Sequence, residues 1–104
     1  MTEYAIIYWR DIPAQIKLRD ETGRAGQPLS RRFSAAISAA ALHAGLTASD
    51  DYLAMWRNGT WTAVSGNLDE AAAALLTDIE AAYPPPRLRA LVRGGGLEST
   101  EEEE

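Results

Sequence analysis

The chain has 104 residues and no cysteine, so it is long enough for one domain with a single hydrophobic core, and disulfides, thiolate metal sites and cysteine nucleophiles are excluded. Its formal charge is −5, but five of the fifteen acidic residues lie at positions 98–104, which leaves residues 1–97 with ten acidic and ten basic residues. A neutral body does not favour nucleic-acid binding. There is no secretion leader and no apolar run of membrane length, so we expect a soluble, cytoplasmic protein without a membrane role.

The first predicted elements are two strands joined by a short turn. Residues 4–9 are rich in β-forming side chains and apolar on both faces, which predicts a strand in the middle of a sheet. Residues 14–19 alternate apolar and polar side chains, which is typical of an edge strand with one face in water. Asp11 and Pro13 suit the connection, so we expect a β-hairpin.

A glycine-rich segment and two helices are predicted next. Residues 20–28 contain two glycines and a proline, which indicates a mobile surface loop. The apolar residues of 29–44 recur at helical spacing, and Gly45 would end that helix. A shorter helix begins at Ser49, with Trp56 on its buried side.

The remaining segments alternate between strand and helix signals. Residues 60–64 predict a third strand, and Asn67 with Glu70 resembles a capping box that opens a helix ending at about residue 82. Residues 87–93 could form a short strand or a helical turn. Residues 94–104 predict a flexible, glycine-rich acidic tail.

Together these segments predict an α+β fold for a single domain over residues 1–93. The order β-β-α-α-β-α implies a small antiparallel sheet of three strands with helices packed on it. Such a sheet and its helices are sufficient for independent stability.

Aromatic and arginine side chains recur together at two places and predict a surface for a protein partner. Aromatic anchoring and charge-assisted hydrogen bonds from arginine are frequent at interfaces. The same residues could instead cap a turn and close the edge of the core. The candidate partner-binding residues are Trp9, Arg10, Asp11, Tyr52, Trp56 and Arg57.

An alternative site would bind a small anionic ligand. The glycine-rich loop carries Arg24 and leads into a helix whose first turn holds Arg31 and Arg32. The spacing matches neither a phosphate-binding P-loop nor a dinucleotide turn, so a solvated loop leading into the helix is the simpler explanation. Nothing in the sequence indicates a catalytic residue, a metal site or a cofactor, and His43 near the end of the helix suits a structural role.

The chain also resembles a small bacterial family named for a conserved virulence factor domain. The resemblance spans about residues 4–65. It is carried by the run YWRDIPAQI at residues 8–16, the glycine–arginine loop, the helix that begins Arg31-Arg32-Phe33, and YLAMWR at residues 52–57. It implies an accessory role beside one-carbon and corrinoid methyl-transfer enzymes, without a defined reaction of its own.

Overall fold

A computed structural model describes residues 1–98 of the chain. Within that range the chain forms an antiparallel sheet of five strands and four helices, which confirms the α+β class. The rest of the predicted acidic tail, residues 99–104, lies outside the described residues. The strands are β1 (Thr2–Trp9), β2 (Ile12–Asp20), β3 (Gly23–Pro28), β4 (Trp56–Asn58) and β5 (Thr62–Val64). The helices are α1 (Arg31–Ala44), α2 (Ser49–Ala54), α3 (Leu68–Ala82) and α4 (Pro85–Arg93).

Strand β1 lies inside the sheet and pairs with three other strands. Strand β2 runs antiparallel along one of its edges. Strands β4 and β5 share the other edge, β4 opposite residues 7–9 and β5 opposite residues 2–4. The prediction of a central first strand is therefore confirmed, because β1 has hydrogen-bonded neighbours along both of its edges.

The prediction of three strands in the order β-β-α-α-β-α is wrong. Residues 20–28, predicted as a mobile loop, form a tight turn and β3, which pairs with β2 from Gln15 opposite Pro28 to Asp20 opposite Gly23. Strand β2 consequently lies inside the sheet and not at its edge. Residues 23–28 form a strand because the backbone groups of β2 supply hydrogen-bond partners for theirs. The local composition gave no sign of these partners.

The helices follow the sequence signals closely, except around Trp56. Helix α1 is followed by Gly45 in the left-handed conformation, at φ 76°, and α3 opens with the predicted reciprocal bonds between Asn67 and Glu70. The open alternative for residues 87–93 is resolved as a helix that starts at Pro85. Trp56 belongs to β4 and not to the short helix, because its backbone pairs with Trp9 of β1.

The alternation along β2 separates a core face from an outer face. Ile16 and Leu18 are buried in the core together with Phe33 of α1. Lys17 and Arg19 point to the opposite face, where the Trp61 ring lies 3.9 Å from the guanidinium carbon of Arg19. The helices therefore cover one face, and Trp61 with these cations lies on the other. Within residues 1–98 no helix has the length and apolar character that a membrane crossing requires.

The turn between β2 and β3 gives a pH-dependent prediction. The Asp20 carboxylate accepts hydrogen bonds from the Thr22 amide and hydroxyl at 2.8 and 2.6 Å and from the Gly23 amide at 3.1 Å. These bonds, above all the one from the Thr22 hydroxyl, hold the Asp20 pKa below its ordinary value of 3.8. Since the folded-state pKa is lowered, this stabilisation is present above the ordinary value and is lost as pH falls through the lowered one.

We therefore expect Asp20→Ala to lower the melting temperature at neutral pH, and the difference from the wild type to shrink as the pH falls through the lowered pKa of Asp20. Thermal unfolding followed by circular dichroism from neutral to acid pH measures this. A difference that stays constant across the range would contradict a charge-dependent turn.

Candidate functional site

Trp9 is the final residue of β1, and its side chain is 0 % exposed. Its indole Nε1–H donates a 2.9 Å hydrogen bond to the carbonyl oxygen of Tyr52, and the two rings stack with centroids 5.7 Å apart. Gly96 lies against the other part of the indole, where an added Cβ would come within 2.7 Å of the ring. Trp9 therefore supports the predicted surface from beneath and is not itself available to a partner.

Tyr52 and Trp56 complete an aromatic cluster above Trp9. Their rings meet edge to face at 6.0 Å, and both side chains are partly buried. The structure thus brings together the three predicted aromatic residues. Because Tyr52 comes from α2 and Trp56 from β4, the cluster fixes these short elements against the end of β1.

Arg10 and Asp11 form the turn between β1 and β2 and bind the C-terminal segment. Arg10 donates through Nη1 to the Gly95 carbonyl at 3.0 Å, and the Asp11 amide donates to the Gly96 carbonyl at 2.8 Å. The Asp11 carboxylate accepts a 2.7 Å bond from the Glu98 amide. Through these bonds residues 95–98 are tied to the domain.

The Arg10 backbone is strained. Its φ of 52° lies in the left-handed region, which costs a residue with a Cβ atom about 1 to 2 kcal/mol. The Arg10 amide donates to the Met55 carbonyl at 3.0 Å, and the Arg10 carbonyl accepts from Arg57 Nε at 2.9 Å. Bonds on both sides of the residue therefore hold it in this conformation.

Arg57 is the most exposed of the charged residues predicted for the partner-binding surface. Its guanidinium carbon lies 4.3 Å from the Tyr8 ring centroid, and Nη2 donates to Asp11 Oδ1 at 3.3 Å. The side chain nevertheless remains 51 % exposed. This guanidinium is held in one orientation by the Tyr8 ring, the Asp11 carboxylate and the Arg10 carbonyl. Part of it stays open to solvent.

A second stacked arginine adjoins this site, and sequence reasoning missed it. Arg87 lies 4.0 Å above the Tyr83 ring centroid and pairs with Glu98 at 2.9 Å. Burial raises the pKa of the Tyr83 hydroxyl. Because the Glu98 amide also bonds Asp11, the two arginines belong to one network. We call the side chains of Asp11, Arg57, Arg87 and Glu98 the guanidinium surface.

The only sequence signal for the second half of this surface was the spacing of Tyr83 and Arg87. Such spacing places a ring and a cation on the same side only within one continuous helix. Here the pair spans the end of α3 and the start of α4, and Glu98 reaches it from a segment predicted to be flexible.

The three arginines of the predicted anion site are not brought together. Arg24 lies on β3 opposite Arg19, at the end of the strand that is remote from α1. Arg31 is exposed in the first turn of α1. Arg32 instead turns towards α3. Arg24 and Arg32 therefore lie in different parts of the fold.

Arg32 binds the C-terminal end of α3. Nη2 donates to the carbonyl oxygens of Glu80 at 2.7 Å and Tyr83 at 3.1 Å, and Nη1 pairs with the Glu80 carboxylate at 2.7 Å. Helix carbonyls at this end lack partners within the helix, so a cation is favourable there. A cation at the start of α1 is unfavourable to that helix's own dipole, and the contact with α3 explains why Arg32 lies there.

Clusters that could hold a metal ion are absent from the described residues, counting groups of three or more His, Asp and Glu side chains. The pKa values of Asp20 and Glu21 are lowered, and those of the N-terminal amine and of Tyr83 are raised. These shifts have local hydrogen bonds or burial as their causes and do not converge on one cavity.

The fold and site define a small α+β domain in which arginines stacked on aromatic rings organise the surface around one sheet end. The family model described as "Virulence factor" matches residues 7–92. The chain therefore belongs to the virulence factor family, which confirms the resemblance and extends it through α4. No curated protein and no solved structure matches the chain.

The strain at Arg10 predicts an ordering of two variants. Arg10→Ala and Arg10→Gly lose the same side-chain bonds, but glycine adopts φ of 52° without a Cβ penalty. We expect Arg10→Gly to be more stable than Arg10→Ala by about 1 kcal/mol in urea unfolding. An alanine variant equal to or above the glycine variant would contradict the left-handed backbone.

The packing of Gly96 on Trp9 predicts a difference between two glycine variants. Gly45 and Gly96 both have positive φ, at 76° and 94°, but a Cβ at Gly45 meets open space. Gly45→Ala should cost about 1 to 2 kcal/mol from the backbone alone. Gly96→Ala should cost about 1 to 3 kcal/mol more, because the methyl group collides with the indole.

Urea unfolding of both variants, followed by tryptophan fluorescence, makes this comparison. Equal losses would mean that the C-terminal segment does not press on Trp9.

Proposed function

We propose that this protein is a small non-enzymatic interaction module that binds a protein partner through the guanidinium surface. The observation that carries the proposal is Arg57, a guanidinium that is 51 % exposed yet fixed by the Tyr8 ring, a backbone carbonyl and Asp11. An arginine held in this way loses little conformational entropy when a partner binds it.

The neighbouring groups support the same proposal. Arg87 is 42 % exposed and is likewise oriented by a ring and a carboxylate. Arginine and aromatic residues supply a large share of binding energy at interfaces, especially when neighbours hold them in place. The surface presents both signs of charge, which favours a partner with complementary charges over a simple polyanion. The neutral charge of residues 1–97 is a further reason to expect a protein rather than nucleic acid.

The family resemblance gives the proposal a direction. Partners among one-carbon and methyl-transfer enzymes fit the accessory role that the resemblance implies. A cytoplasmic location is part of the proposal and is supported by the cysteine-free sequence.

The alternative of a small anionic ligand on Arg24, Arg31 and Arg32 has less support. Arg32 already donates to carbonyl and carboxylate oxygens at the end of α3. Arg24 lies on β3, away from the start of α1. An anion that raised the melting temperature of the wild type but not of Arg31→Ala would favour this alternative.

The proposal predicts that Arg57→Ala loses partner binding while Arg24→Ala retains it. Both variants remove one exposed arginine from a strand, but Arg24 lies far from the guanidinium surface. We expect Arg57→Ala to weaken binding by about 1 to 3 kcal/mol, and its stability to fall by less than about 1 kcal/mol.

Affinity capture from native lysate with the wild type and both variants, read by mass spectrometry, identifies the partner. Titration calorimetry with the purified partner then gives the affinities. Retention of the same proteins by the wild type and by Arg57→Ala would refute binding at this surface. A large fall in melting temperature for Arg57→Ala would assign the residue to stability instead.

A further inference from the structure

A groove of about 480 Å³ runs between α1 and α4, on a part of the domain separate from the guanidinium surface. The α1 side runs from Arg32 to Ala39 and the α4 side from Pro85 to Arg93. At the helical rise these stretches are about 10 and 12 Å long. The groove is therefore about two helical turns in length.

The floor and walls of the groove are apolar. Helix α1 contributes alanines, Ala35, Ala36 and Ala39, and α4 contributes Leu88 and Val92. Small side chains on one helix allow the backbone of another helix to approach closely, with larger side chains of the partner filling the space. An amphipathic helix lying in an apolar groove is a common mode of recognition.

The rim of the groove is basic. Arg32, which is paired with the Glu80 carboxylate, lines it together with Arg89 and Arg93, and no acidic residue does. Arg89 and Arg93 are exposed, and neither pairs with a carboxylate among residues 1–98. They are also four positions apart on α4, where like charges are mildly destabilising. An acidic occupant would relieve this repulsion.

We infer that the groove between α1 and α4 docks an acidic amphipathic helix of a protein partner. The apolar stripe of that helix would face the alanines, and its carboxylates would meet Arg89 and Arg93. A small ligand is disfavoured because the polar lining consists of arginines, and no other donor or acceptor lines the floor to orient one.

The last acidic residue that the structure describes, Glu98, lies away from the groove. Glu98 pairs with Arg87, and Arg87 and Arg89 lie on nearly opposite sides of α4 because they are two residues apart. The described chain therefore ends on the side of α4 that faces away from the groove. This inference is independent of the proposed function, since the two surfaces share no residue.

The test uses a defined probe, a labelled synthetic helix of about 18 residues with leucines at i, i+3, i+4 and i+7 and glutamates on the other face. Control peptides carry lysine in place of glutamate, or the same composition in scrambled order. Fluorescence anisotropy with the full-length protein measures binding. We expect a micromolar Kd for the acidic helix, which weakens as salt is raised, and no comparable binding of either control.

Charge-reversal variants locate the binding. The double variant Arg89→Glu, Arg93→Glu should weaken binding at least tenfold, as a salt-sensitive rim requires. The double variant Arg24→Glu, Arg31→Glu has the same change in net charge outside the groove and should bind as the wild type does. Ala39→Phe fills the groove without changing charge and should also block binding. Arg57→Ala should leave peptide binding unchanged even if it abolishes partner capture.

Several outcomes would overturn the inference. These are failure of the acidic helix to bind at about 1 mM, equal binding of the scrambled peptide, and binding that survives both the rim reversal and Ala39→Phe. Binding only to a protein shortened to residues 1–98 would show that the chain's own end occupies the groove. A dimer that the rim reversal dissociates in sedimentation would make a second copy the occupant.

Discussion

The burial of the Trp9 indole is the interaction on which the site depends. Its Nε1–H must find an acceptor when the ring leaves water, and the Tyr52 carbonyl provides it at 2.9 Å. That bond fixes α2 beside the end of β1. The indole also forms the support for Gly96, so the C-terminal segment closes over it. Both α2 and the C-terminal segment therefore depend on contact with the same indole ring.

The arginines of the domain differ in how far their side chains are exposed and in what they bind. Arg10 binds the C-terminal segment beneath the surface, whereas Arg57 lies above it and keeps half of its side chain in water. Arg32 performs a structural role at the end of α3. Arginine therefore holds the C-terminal segment at Arg10, caps a helix at Arg32 and forms the proposed partner contact at Arg57. The acceptors around each guanidinium decide which role it has. The rim of the groove between α1 and α4 adds arginines that lack such acceptors among the described residues.

The site could be predicted from the sequence only in part. The aromatic and charged residues at 9–11 and 52–57 do come together, because β4 pairs with the end of β1 and the Trp9 indole bonds the Tyr52 carbonyl. Which of these residues are buried and which face solvent could not be predicted. Whether Trp9 lies in the core or on the surface depends on which segments cover it. Arg87 and Glu98 were missed for the same reason. Their partners, Tyr83 and Asp11, are brought to one place only when α4 and the segment after it fold back onto the sheet.

The sequence by itself determined the α+β class, the central first strand, the end of α1 at Gly45 and the capping box of α3, because these depend on periodicity and on bonds between near neighbours. Only the tertiary structure decided that residues 23–28 form a strand, that Trp56 leaves the helix for β4, and that β2 lies inside the sheet. In each case the deciding bonds join segments that are distant in sequence or have weak local preferences. A segment with two glycines has little intrinsic preference for a strand, and it becomes one because β2 offers it a complete edge of hydrogen-bonding groups.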